Sequence, residues 1–137
     1  MALPRGIRNN NPLNIRKGNG WQGERKNQTD PAFEEFVSMT YGLRAGFKVL
    51  KNYQAESLSR QKRADTIRKI IRRWAPPSEN LTDRYIQTVA KLTGCHPDEV
   101  IHFRDRTKMV ALVHAMCRVE CGEDIDVGLI ESAYDLV

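Results

Sequence analysis

The chain has 137 residues, 40% of them hydrophobic and 28% charged, with a net charge of +5. This is length enough for one domain with a real core, and its composition is ordinary for a soluble protein. No apolar run reaches the length of a membrane span, and Met1 to Arg16 lacks the apolar segment of a secretory signal, so the chain is expected to be made in the cytoplasm and to need delivery or release if it acts outside it.

Met1 to Asp30 has turn rather than helix character, with Asn9, Asn10, Asn11, Pro12, Gly18, Asn19, Gly20 and Gly23. Leu13 to Arg16 and Trp21 suit short strands around the Gly18-Asn19-Gly20 turn, at most a small hairpin. An Asn-rich segment with one Trp suits a sugar-binding surface, because amides bond hydroxyl and acetamido groups and an aromatic face covers a sugar ring. The competing reading makes the Asn side chains loop partners and Trp21 a plug of the core. In Asp30 to Ser38, Phe33 and Phe36 are placed to pin this lobe onto the rest, with Glu34 and Glu35 solvated between them.

From Thr40 the helical period takes over. Leu43, Phe47, Leu50 and Tyr53 form one stripe, and Gln54 to Lys62 reads as a linker. Asp65 is expected to cap a helix with Ile67, Ile70, Ile71 and Trp74 on its core side and Arg68, Lys69, Arg72 and Arg73 opposite. Lys and Arg concentrate in Arg5 to Lys26 and Arg60 to Arg73, which suits an anionic partner such as nucleic acid, an acidic membrane or a bacterial wall. A solvated outer face on an amphipathic helix explains the second cluster without nucleic acid.

Ala75-Pro76-Pro77 stops that helix. Thr82 is a good N-cap for the next, whose core side is Ile86, Val89, Ala90 and Leu92 and which Gly94 ends. Pro97 opens a short helical turn through Ile101, Asp105 caps a further helix, and Val127, Ile130, Ala133 and Tyr134 mark a last one. The expected fold is mainly α: a bundle of about five to seven helices with a small polar loop or hairpin lobe (1–38) on a helical body (39–137). Three cysteines, Cys95, Cys117 and Cys121, do not form a disulfide framework, and no CxxC pair supports a metal with His114, so no metal or cofactor is expected.

The helix beginning near Asp105 carries Val110, Leu112, Val113, Met116 and Cys117, then Glu120 in its last turn and Gly122 behind it. A helix C-terminus disfavours negative charge. A Glu there, among apolar neighbours, is expected to have a raised pKa and to stay protonated, as a general acid must.

RGIRNNNPLNIR, Trp21, Gly23, DPAFEEFVSMTYGLRA and RWAPPSENLTDRYI resemble a phage and prophage family whose members are described as virion structural proteins or lysozyme-like cell-wall enzymes. The chain is also similar, more remotely, to the glucosaminidases of the lysozyme superfamily. Their order is a helix ending in a catalytic Glu, an Asn-rich stretch, a Phe-x-x-Phe segment entering a helix, and a Tyr segment. NNNPLNIR, FEEFVSMTYGLRAGFKVLKNY and APPSENLTDRYI match the last three in order, while LVHAMCRVECG resembles the first but stands at the other end. The resemblance therefore implies a circularly permuted lysozyme-like domain, its catalytic helix at about 105–121, a rearrangement that neighbouring surface termini permit.

On that resemblance the substrate is peptidoglycan, cut at a glycosidic bond, with Glu120 as general acid and Tyr85 orienting the acetamido group or stabilising charge at the anomeric carbon. Glu79, Glu24 and Asp30 are candidates for a second carboxylate, and substrate assistance or lytic transglycosylation needs none. Asn11, Asn14, Trp21 and Asn80 would bind the glycan. The alternative is a non-catalytic virion or glycan-binding module. Permutation makes one geometric demand: Glu120 must face a groove shared with Tyr85 and with Asn11 or Asn14.

Overall fold

A computed structural model describes residues 3–75 and 78–137, with only the backbone described at 79 and 80. The described residues form six helices and no sheet: α1 (Arg5–Arg8), α2 (Met39–Tyr53), α3 (Ile67–Trp74), α4 (Glu79–Thr93), α5 (Arg106–Cys121) and α6 (Val127–Asp135). The protein is mainly α, as the helical periodicity predicts.

The helices sit where their apolar stripes require. Leu43, Phe47 and Leu50 of α2, Ile67, Ile70 and Ile71 of α3, Ile86 and Val89 of α4, and Met109, Leu112, Val113, Met116 and Cys117 of α5 are all fully buried. α5 packs against α4, α6 and α1, while α2 packs on α6 and α3 on α4. Cys117 lies in this core as a small hydrophobe, and burial pushes its thiol pKa well up.

Helix boundaries follow local chemistry with some shifts. Asp105 caps α5 by accepting from the Lys108 N–H. Thr66, not Asp65, caps α3, its hydroxyl accepting from the Lys69 N–H at 3.2 Å. Thr82 lies inside α4, which starts at Glu79 after Ser78, so the helix begins a turn before the best capping residue. Gly94 and Gly122 close α4 and α5 at φ 72° and 74°, the left-handed conformation glycine adopts without strain. The stretch after Pro97 forms turns rather than a helix, since Val100 bridges to Thr66 at the start of α3. Leu92 is 57% exposed and is no part of the core.

The polar lobe differs most from expectation. Arg5–Arg8 form a turn of helix. No hairpin closes around Gly18-Asn19-Gly20; Arg16 bridges to Phe33 and Glu24 to Phe36, so both segments pair with the 33–36 stretch instead. Glu34 and Glu35 are buried, not solvated, because the lobe supplies donors to them: Gly18 N–H to Glu34, and the Thr29 N–H and hydroxyl and the Asp30 N–H to Glu35. Phe36 is buried as expected, whereas Phe33 stacks beneath the guanidiniums of Arg5 and Arg16 at 4.6 and 5.0 Å.

Close approach of backbone joins the lobe to the body. A Cβ on Gly42 of α2 would fall 1.9 Å from the Asn10 carbonyl oxygen, and one on Gly46 would fall 2.3 Å from Leu13. Gly42 and Gly46, one helical turn apart, give α2 a flat face on which the Asn-rich loop rests.

Candidate active site

Glu120 is in the last turn of α5, partly buried. Burial raises its pKa, partly offset by the Tyr85 hydroxyl that lies against it and by the Asn14 amide donor. The direction is the one its position predicts. The carboxylate stands in the flank of a groove of about 310 Å³ between α4 and α5, lined by Leu81, Thr82, Arg84, Tyr85, Thr88, Val119 and Glu120 with Ala75 at its end.

Tyr85 is on α4 and 7% exposed. Burial, then the Glu120 carboxylate, pushes its phenol pKa far up, so it stays a hydroxyl. That hydroxyl lies against Glu120 without reaching hydrogen-bond geometry, and it is a buried polar atom with no formed partner. Such groups are rare and are expected to have a reason.

Asn14 comes from the polar lobe, 106 residues away in sequence. Its Nδ2 donates to the Glu120 carbonyl at 3.1 Å and contacts the carboxylate Oε1 at 3.3 Å. The first bond satisfies a carbonyl that the helix end leaves without an intrahelical donor. Asn14 holds φ 53°, a left-handed conformation that Asn tolerates better than most residues. Gly6 makes room for this junction: a Cβ there would meet the Asn11 carbonyl oxygen and Cys121 Cβ at 3.0 Å and Asn14 Oδ1 at 3.3 Å. Glu120, Tyr85 and Asn14 thus converge from three distant parts of the chain.

Over 124 residues the chain is 40% identical to Protein P5 of Pseudoalteromonas phage PM2, covering 88% of this chain and 72% of that protein. The chain belongs to the phage Protein P5 family. No protein-family model matches it.

The other candidates are placed elsewhere in this member of the P5 family. Asn11 is fully buried, donating to the carbonyls of Ile15 and Glu34 and accepting from the Ile15 N–H, so its amide is committed to holding the lobe and does not reach a ligand. Trp21 packs half-buried against the core, away from the groove, with its Nε1 buried and unpartnered. The side chains of Glu79 and Asn80 lie outside the described residues. Asp30 is held as an anion, its pKa well below the usual range, by Arg5 at 2.5 Å and by the Phe33, Ala32 and Asn9 donors. It ties α1 to the lobe. Glu24 accepts from the Trp21 N–H and faces Glu34, and neither lines the groove.

Glu120 is therefore the one carboxylate among the described groove-lining residues. Thr82 is read from sequence only as a helix cap, and Arg84 and Thr88 have no site role there. Once Tyr85 is set facing Glu120, helical spacing places residues three before and three after it along the same wall.

Proposed function

We propose that this P5-family protein is a phage-derived glycosidase that cuts the glycan strands of peptidoglycan, with Glu120 as general acid. The observation that carries the reading is a groove lined by both Glu120 and Tyr85, with Asn14 bonded to the Glu120 carboxylate from the polar lobe. A permuted lysozyme-like order asks for Tyr85 and Asn11 or Asn14 beside Glu120 in one groove; Tyr85 lines it, while Asn14 touches Glu120 without lining it and Asn11 does neither.

Glu120 passes its proton to the glycosidic oxygen as the bond to the anomeric carbon breaks. In the substrate-assisted form, which needs one protein carboxylate, the N-acetyl group of the same sugar is the nucleophile, its carbonyl oxygen bonding the anomeric carbon. Water, or the sugar's own 6-hydroxyl, then displaces it and returns a proton to the Glu120 carboxylate. Tyr85, un-ionised and with its hydroxyl buried against Glu120, forms the wall on which the acetamido-bearing sugar would rest. Asn14 fixes the carboxyl and favours its charged form after proton transfer. The chain's net positive charge favours association with an anionic wall. The protein reaches that wall by delivery with a virion or by release from the host.

The direct test is clearing of a peptidoglycan suspension. The wild type should clear it, and Glu120→Gln should not, while melting no lower than the wild type. Binding of walls by both proteins without clearing by either would favour the glycan-binding module instead.

A further inference from the structure

Arg84 is the one cation among the described residues that line the Glu120 groove. It lies on α4, is exposed, and makes no hydrogen bond or ion pair among the described residues. Arg60, Arg104 and Arg118 are exposed and unbonded as well, whereas Arg68, Arg73 and Arg106 are engaged by Asp98, the Lys62 carbonyl, and Asp135 and Glu131; what sets Arg84 apart is its place in the lining of the groove. On the same wall as Arg84 stand Leu81, 62% exposed, and Thr88. Spacings of three and four place these on one helical face.

A free guanidinium offers a planar fork that fits a carboxylate with two parallel bonds. An uncharged N-acetylglucosamine polymer offers such a fork only neutral hydroxyl and amide oxygens, without the charge or the paired oxygens of a carboxylate. Peptidoglycan strands differ by their carboxylates. These belong to the lactyl ether where the strand is stripped, and to the stem peptide where the lactyl group is amide-bonded to it. The only other charged group among the described lining is Glu120, so a protonated general acid leaves the groove cationic.

We propose that Arg84 is the specificity-determining residue of this groove, pairing with a substrate carboxylate and so selecting peptidoglycan strands over uncharged glycans. This rests on the reading of the groove as a glycan site. Arg84 and Tyr85 both line the groove, so the paired carboxylate would belong to the glycan segment seated there.

The test is calorimetric titration of Glu120→Gln protein, which binds without turnover, carrying Arg84, Arg84→Ala or Arg84→Lys. Three probes of equal sugar number are used: chitotetraose, stripped peptidoglycan tetrasaccharide with free lactyl carboxylates, and the same tetrasaccharide bearing stem peptides. With Arg84 present, at least one carboxylate-bearing probe should bind about tenfold or more tighter than chitotetraose. Arg84→Ala should remove that preference and leave chitotetraose affinity unchanged, and Arg84→Lys should restore part of it. Whichever carboxylate probe carries the preference identifies the lactyl or the stem group as the partner. Equal binding of all three probes, or a preference that survives Arg84→Ala in protein with a native circular dichroism spectrum, overturns the assignment and leaves the glycan groove standing. Failure of all three probes to bind overturns both.

Discussion

Replacing Glu34 with glutamine should stabilise the protein above neutral pH and change little at pH 4. Glu34 is 4% exposed, and its Oε1 accepts from the Gly18 N–H at 3.3 Å. Burial, then the neighbouring Glu24 carboxyl, raises its pKa from 4.5 to about 7. Between those two values the folded protein holds a proton that the unfolded chain has lost. Stability from this group is therefore fully present below about pH 4.5 and falls as pH rises toward 7. At ~1.4 kcal/mol per unit the full shift is worth at most ~3 kcal/mol. Water reaches the half-exposed Glu24 and screens the pair, which leaves about 1–2 kcal/mol. Glutamine keeps an acceptor for Gly18 and adds a donor for Glu24. Urea or thermal unfolding of both proteins from pH 4 to 8 should show the variant gaining about 1–2 kcal/mol, or roughly 4–8 °C, at pH 8. Parallel stability curves, or a variant less stable at pH 8, would refute the account of Glu34 as a carboxyl kept protonated by burial and by Glu24.

Three further substitutions probe the junction. Gly42→Ala puts a Cβ 1.9 Å from the Asn10 carbonyl, which is backbone and cannot swing away; it should cost about 3 kcal/mol or more, read as a lower urea midpoint. Tyr85→Phe removes a buried hydroxyl with no formed partner, so the melting temperature should hold or rise while clearing slows about 100-fold; an equal loss of stability would make Tyr85 a structural residue. Asn14→Ala removes a donor that holds the Glu120 pKa down. A general acid works only while protonated, so the alkaline limb of the clearing rate should move to higher pH. An unmoved limb would separate Asn14 from the acid.

Most of the helical body was legible because its apolar residues recur with the helical period, and Leu43, Phe47 and Leu50 or Ile67, Ile70 and Ile71 bury where the stripe says. The lobe was not, because long-range side-chain bonds rather than periodicity build it. Asn11 and Asn14 belong to one motif, yet Asn11 turns inward to Ile15 and Glu34 while Asn14, at positive φ, reaches Glu120. Nothing local distinguishes them. Glu35 looked solvated because isolated carboxylates rarely bury. Burial alone would raise its pKa, but the Thr29 and Asp30 donors and Arg25 hold it down, and those partners are visible only in three dimensions. The direction of the Glu120 shift could be argued from its helix end. Its leading cause, burial in the α4–α5 groove, depends on Tyr85 and Asn14 arriving from elsewhere.

Mass spectrometry of the soluble products from purified peptidoglycan tests the role of Glu120 most directly. Wild-type protein should release muropeptides ending in a newly cut glycosidic bond, with a reducing sugar if water completes the reaction or an anhydro sugar if the 6-hydroxyl does. Glu120→Gln, with its groove intact, should release none. Release of the same products by that variant, or none by the folded wild type, would contradict the assignment of Glu120 as the acid of a peptidoglycan-cleaving site.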